Sequence, residues 1–419
     1  MSKFIITGQK TLKGEINVSG SKNAVLPIMA ASLLTRDECV LTNVPKIKDV
    51  ETMAEIMSDL GAVVSFTDHR LVIKAQDLKK SSPLPTLVSK LRGSILLLGP
   101  MLARMHSVEM PFPGGDLIGS RSIDSHLSAL KELGALVDLE KNVKVKVKVR
   151  ELKGNKIVLE ESSVTATENL IMASVLAKGK TLIKLAAMEP HVQALGEFLN
   201  LMGARITGLG TTVIEIEGVE SLHGASFQII SDSSEAASFI TLAAATRGNV
   251  KVTNLDPDHL DDFLLKMKQM NVNLEIGKDY VQVLPPSQEY VGIKIQCGLY
   301  PKLNSDYVPP MAVLATVARG ETYIYEWMYE NRLGHIPELK KMGAKAEILD
   351  PHRVKIIGPT QLVAQNIKTY DLRMGMTLVI AALIAKGTSE ISDIHHIDRG
   401  YENLEEKLRA IGAEIKRID

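Results

Sequence analysis

Hydrophobic and polar positions return six times in the same order along this chain. A helical stretch closes on a short phrase, and an extended stretch follows it. The phrase reads Leu60-Gly61-Ala62, Leu133-Gly134-Ala135, Met202-Gly203-Ala204, Met342-Gly343-Ala344 and Ile411-Gly412-Ala413. Met270-Asn271-Val272 stands where the remaining copy falls, and successive central residues are 73, 69, 68, 72 and 69 positions apart. A helix that ends in a left-handed residue favours Gly, which has no Cβ to clash, or failing that Asn. The stretches that follow, such as Val63-Val64-Ser65-Phe66 and Ala346-Glu347-Ile348, read as strands.

A second recurrence interleaves with the first. Apolar helical stretches close with a turn before a strand at Ala31-Ser32-Leu33-Leu34, Ala177-Lys178-Gly179, Thr246-Arg247-Gly248, Ala318-Arg319-Gly320 and Ala385-Lys386-Gly387. Each module therefore reads as strand, helix, strand, second helix and strand pair, an α/β pattern. Opening strands such as Leu12 to Val18 precede the first helix of a module. The last module lacks a closing strand, and the N-terminal strand is expected to supply it. Modules of this length exceed the usual solenoid repeat, so two domains of three modules are expected. Their bounds are residues 1–20 with 230–419, and residues 21–229.

At 419 residues the chain is too long for one ordinary core. Its 49 basic and 49 acidic side chains balance, which argues against nucleic acid or an anionic membrane as the main partner. The two cysteines, Cys39 and Cys297, lie far apart outside any metal-like spacing, so neither a disulfide scaffold nor a zinc site is expected. The N-terminus has no signal-peptide core, and apolar runs such as Leu378 to Ala385 are too short to span a bilayer. A cytoplasmic protein is expected. The single tryptophan, Trp327, is expected to pack in the core.

Equivalent positions in the modules carry related residues. The first helices start at Ser21-Lys22-Asn23, Ser89-Lys90-Leu91-Arg92, Ser163-Val164-Thr165, Ser231-Asp232, Asn304-Ser305-Asp306 and Asp371-Leu372-Arg373. Capping alone explains the Ser, Asn and Asp members. It does not explain Lys22, Arg92 and Arg373, which sit at the end of a helix that disfavours cations. Second helices start near Gly119-Ser120-Arg121, Glu330-Asn331-Arg332 and Asp398-Arg399-Gly400. Six cations at related positions would converge on a cleft between the domains and bind phosphate and carboxylate groups. The competing reading pairs them with neighbouring acids. The segment Pro111 to Arg121 carries three glycines and two prolines around Asp116. It is either a surface turn or a lid that delivers a proton.

Four stretches together resemble the UDP-N-acetylglucosamine enolpyruvyl transferase family: Ser19 to Ala24, Pro113 to Arg121, Glu330-Asn331-Arg332, and His396 to Glu402. The resemblance covers essentially the whole chain. It implies an inside-out α/β barrel of two domains, each with three βαβαββ modules around buried helices. It further implies transfer of the enolpyruvyl group of phosphoenolpyruvate to the sugar 3-hydroxyl, without metal or organic cofactor. Lys22, Arg121 and Arg399 match phosphoenolpyruvate ligands, and Arg332, Arg373 and Arg92 complete the charged cleft. Asn23 and Asp306 match contacts to the sugar nucleotide, with Asp306 as base and Asp116 as acid. Ser122, Ile123, Asp124 and Ser125 match its nucleotide side, as do Glu161, Ser162, Ser163, Val164 and Met328. His126 is either a uridine contact or a structural histidine.

The chain departs from the family at several places. Asp116 stands where most members have the cysteine that fosfomycin alkylates, so insensitivity to fosfomycin is expected. Thr165 replaces a glycine, Ser122 a proline and Ser233 an arginine. Asn304-Ser305 replaces Pro-Thr, and Met374-Gly375-Met376 replaces small residues. These leave two alternatives open: an enolpyruvyl transferase with another sugar-nucleotide acceptor, and a non-catalytic nucleotide-sugar binder.

Overall fold

The computed structural model describes residues 2–114, 122–140 and 143–418. The chain divides into two compact units, residues 2–19 with 231–418 and residues 20–114 with 122–230. Each has its own hydrophobic core.

The module around Val308–Val317 shows the repeated plan. Lys294–Gln296 runs parallel to Gly320–Tyr325, which pairs antiparallel with Arg353–Gly358, and Lys345–Asp350 forms the outer edge. Val308–Val317 is apolar on every side and buried along nearly all its length. Ser233–Ala245 and Leu372–Ile384 are likewise buried on every side, their few polar residues included, and the three helices pack on one another. A helix without a polar face must lie inside. The sheets, with their alternating burial, therefore lie outside, which is the inside-out arrangement that the resemblance implied. No helix among the described residues is long and apolar enough to cross a membrane.

All six recurring phrases close a helix as expected. Gly61, Gly134, Gly203, Gly343, Gly412 and Asn271 all have positive φ, from 66° at Asn271 to 109° at Gly61. In each, the central N–H reaches the carbonyl three residues back and the next N–H the carbonyl five back, as in Gly61 to Ser58 and Ala62 to Met57. This double bond is the Schellman motif.

The chain crosses between the units at two places, and strands follow it. Lys3–Thr7 pairs antiparallel with both Thr388–Ser392 and Glu414–Ile418, so the N-terminal strand does complete the last module. Lys13–Asn17 pairs parallel with Asn249–Thr253. It precedes Lys22–Ala31 in sequence, yet it opens the sheet of the module built on Ser233–Ala245. Conversely, Ser226–Gln228 opens the sheet containing Glu38–Thr42. The second module has a three-stranded sheet, and one bond from the Glu109 amide to the Ser81 carbonyl takes the place of its opening strand.

Buried charge holds the crossing on the first unit. The Lys407 ammonium donates to Ser19 Oγ at 2.7 Å and Glu235 Oε1 at 2.8 Å, and the Ser19 amide donates to Glu235 Oε2 at 2.6 Å. In the second unit the Ser21 amide donates to the Ile230 carbonyl at 2.7 Å.

Glu168 in the helix Val164–Ser174 is a buried acid of a different kind. Its Oε1 has no hydrogen-bond partner among the described residues. Burial, and then the charge of Glu189, push its carboxyl well above the usual range. The folded state therefore holds a proton that the unfolded chain releases, and stability falls as pH rises from the ordinary carboxyl pKa toward the folded one. Glu168→Gln removes that loss. Thermal unfolding should show the variant gaining roughly 2–4 °C per kcal/mol recovered at mildly alkaline pH. The gain should vanish in acid, below the ordinary carboxyl pKa.

Candidate functional site

In the second unit, Ser21 caps the helix Lys22–Ala31 through the Ala24 amide and leaves Lys22 and Asn23 in the first turn. The Lys22 ammonium lies 3.0 Å from the Asp49 carboxylate, and both side chains are largely buried. Arg92 opens a 3-10 turn, Arg92–Leu97, which no side chain caps. Ser89 ends the short helix Pro85–Val88 instead of starting one, so the capping expectation fails in this module alone. Ser163, Asp232, Asn304 and Asp371 cap as Ser21 does.

Arg92 Nη1 donates to the Pro113 carbonyl at 3.5 Å. The chain meets that helix again at Gly114, where a Cβ would lie 1.6 Å from the Ser89 carbonyl oxygen. Only glycine fits there. Asp116 and Arg121 lie beyond it, outside the described residues.

Ser122 and Asp124 are exposed, Ile123, Ser125 and His126 are buried, and the helix Asp124–Glu132 begins here. Both His126 ring nitrogens are engaged: Asn169 Nδ2 lies 3.0 Å from Nδ1, and Thr165 Oγ1 lies 3.1 Å from Nε2. Asn169 Oδ1 accepts from the Gly99 amide, which fixes the side-chain amide so that its nitrogen faces the ring. Burial, then the charge of Arg92, push His126 down to about 3. The neutral ring therefore carries its proton on Nε2 and donates to Thr165. Glu161 is exposed, and Ser162, Ser163 and Val164 are partly buried beside it.

The first unit holds a buried cluster of charge around Asp306. Asp306 lies in the turn Ser305–Tyr307, with its amide bonded to Asn304 Oδ1. One carboxylate oxygen pairs with Arg332 Nη2, and the other with Arg373 Nε at 2.8 Å. Both guanidinium groups are buried. Burial alone would lower Arg373, but the charges of Asp306, Tyr401 and Asp232 outweigh it and hold the group above its usual range. Here, as at Lys22, the neighbouring acid that sequence offered as the alternative partner is present. Arg399 ends the turn Ile394–Arg399 and is partly buried, as is Met328.

Two features of this region were not read from sequence, and a third differs from the expectation. His335, pushed down to about 3 by burial, donates from Nδ1 to the Arg332 carbonyl at 3.2 Å. Glu326 is buried behind Ser305. Trp327 is not a core residue: it is 49 % exposed, and its indole N–H donates to the Cys297 carbonyl at the strand edge. No sequence signal marks the first two, because a buried His or Glu reads like a surface one.

The family described as EPSP synthase (3-phosphoshikimate 1-carboxyvinyltransferase) matches residues 6–408, and this chain belongs to it. Within that class the chain is similar over its length to proteins named for another acceptor. It is 42% identical over 416 residues to UDP-N-acetylglucosamine 1-carboxyvinyltransferase 1 of Caldanaerobacter subterraneus, covering 99% of each chain. It is 39% identical over 425 residues to UDP-N-acetylglucosamine 1-carboxyvinyltransferase of Borrelia garinii, covering 100% of this chain and 99% of that one. The solved enolpyruvyl transferase NikO from Streptomyces tendae superposes with a TM-score of 0.90 at 23% identity, over 99% and 98% of the two chains, which supports the fold.

Removing Asp306 leaves two buried guanidinium groups facing each other. Asp306→Ala should therefore lower the unfolding free energy of the first unit by about 3–5 kcal/mol. Inorganic phosphate should restore part of that loss, because an anion can take the place of the carboxylate. Thermal unfolding with and without phosphate reads both effects, and an undiminished midpoint would contradict the arrangement.

Proposed function

We propose that this chain transfers the enolpyruvyl group of phosphoenolpyruvate to the 3-hydroxyl of UDP-N-acetylglucosamine and releases phosphate, the first committed step of peptidoglycan synthesis. The observation that carries the reading is the full-length similarity to carboxyvinyltransferases of that acceptor. The Asp306 carboxylate between Arg332 and Arg373 adds chemical support.

The chemistry follows from charge. Phosphoenolpyruvate brings a phosphate and a carboxylate, which compete with Asp306 for Arg332 and Arg373 and with Asp49 for Lys22. Arg121 and Arg399 complete the anion site, and Arg92 adds charge on the nucleotide side. Asp306, released from its arginines, accepts the proton of the 3-hydroxyl as the oxygen attacks C2. Asp116 protonates C3, and a phosphate dianion beside that acid favours its protonated form. The tetrahedral adduct then returns a proton from C3 to the Asp116 carboxylate as the bond from C2 to the phosphate oxygen breaks and phosphate leaves. Asn23 holds the sugar. The nucleotide lies against Ser122 to His126, Glu161 to Val164 and Met328. This reaction fits a protein of the cytoplasm and a product that serves cell shape and division.

One feature favours a different sugar-nucleotide acceptor: Thr165 puts a side chain, held by His126, where the family has glycine. Phosphate release assayed with several UDP-sugars separates the two. The proposed acceptor should support turnover that falls by at least about 10²-fold in Asp306→Asn. Binding of UDP-N-acetylglucosamine without release from phosphoenolpyruvate would leave a non-catalytic binder.

Position 116 has its own test. Fosfomycin should leave the protein unmodified by mass spectrometry and fully active, because a carboxylic acid lacks the thiolate nucleophile. Asp116→Cys should gain one covalent adduct. Alkylation of the unaltered protein at residue 116 would refute the assignment.

A further inference from the structure

Glu326 follows the strand Gly320–Tyr325 and is wholly buried. Its backbone is tied to one residue on both sides: the amide donates to the His352 carbonyl at 2.8 Å, and the Glu326 carbonyl accepts from His352 Nδ1 at 2.8 Å. Its carboxylate collects three donors from three separate segments. The Met328 amide, at 3.0 Å, and the Cys297 thiol, at 3.3 Å, reach Oε1, and the Ser305 hydroxyl reaches Oε2 at 2.7 Å. Burial, then the charge of Glu326, push the Cys297 thiol up to about 12, so it keeps its proton and donates. No cation pairs with Glu326 among the described residues. A carboxylate accepts all three at once, whereas an apolar side chain of similar size would leave the Met328 amide, the Cys297 thiol and the Ser305 hydroxyl without this partner.

The two ends of this network matter. Ser305 is the residue before Asp306, and Met328 lies four residues before Arg332, the partner of Asp306. One immobile carboxylate thus fixes both chain segments that carry the ion pair.

We propose that Glu326 is a positioning residue for the transfer reaction, holding the Asp306 carboxylate in register with the attacking hydroxyl through Ser305 and Met328. The inference rests on the reading of Asp306 as the base. An error of about 1 Å in a reacting group costs on the order of 10²-fold in rate, while binding that depends on other groups is spared.

The test is a kinetic cycle on Glu326→Leu, Ser305→Ala and the double variant, with Ser305→Thr as the conservative control. Calorimetry with UDP-N-acetylglucosamine fixes the fraction of folded sites in each. Each single variant should lose roughly 10- to 100-fold in kcat at full binding stoichiometry and with the KM for phosphoenolpyruvate nearly unchanged. The double variant should be no worse than the poorer single, and Ser305→Thr should retain activity because it keeps the hydroxyl. Trp327, the chain's one tryptophan and the neighbour of Glu326, should shift its fluorescence emission in Glu326→Leu. A normal kcat in Glu326→Leu, losses that multiply in the double variant, or a loss explained by fewer binding sites would overturn the proposal while leaving the reaction assignment intact. Absence of phosphate release from the unaltered protein would instead overturn the assignment, and this inference with it.

Discussion

A helix such as Val308–Val317, apolar on every side, cannot stand at a protein surface, and it packs with two more that are buried on every side. Enclosing such a helix takes more surface than one sheet offers. The first unit answers with three modules, each contributing one buried helix and one sheet, so that the helices shelter one another and the sheets face water. Strand exchange at the crossings follows from the same need. Each set of three needs every sheet completed, and the chain supplies missing strands from wherever it passes.

The constraint also decides where chemistry can happen. A helix covered along its length offers polar groups only at its ends, and the residues of interest gather there. Lys22 and Asn23 occupy a first turn, Thr165 another and Arg373 a third, while Asp306 sits in the turn that leads into Val308–Val317. Capping side chains hold these turns open, and the free amides beside them favour anions. The cost is a set of buried charges, which the structure satisfies internally: Lys22 with Asp49, and Arg332 and Arg373 with Asp306. A substrate rich in negative charge would then exchange one set of ion pairs for another, without exposing an uncompensated charge.

The repeat was legible because its marker is conformational. Only Gly or Asn suits a left-handed helix end, so six such ends leave six visible letters, Asn271 included. Caps were legible in five modules for a similar reason and failed at Ser89, where a short helix intervenes before Arg92. The partner of Lys13–Asn17 was not legible, because local sequence does not encode which distant strand completes a sheet. Trp327 was misread because size and apolarity suggested a core, whereas its N–H is spent on a carbonyl at a strand edge and much of the ring faces solvent. Glu326 and Asp49 gave no signal, since their burial depends on neighbours that only the folded chain assembles.

The pairing of Lys3–Thr7 between Thr388–Ser392 and Glu414–Ile418 has a consequence for how the molecule is made. Ribosomes add roughly 5–20 residues per second, so Lys3–Thr7 waits on the order of 20–80 s for its neighbours. During that interval the unit spanning residues 20–230 already has all its strands, while the other stays open at both flanks of a segment whose Phe4 and Ile6 are destined for full burial. An unpaired apolar strand is a template for foreign chains. Nascent copies of this protein therefore have a defined window, closing only when Glu414–Ile418 has been made, in which a chaperone has the most to protect.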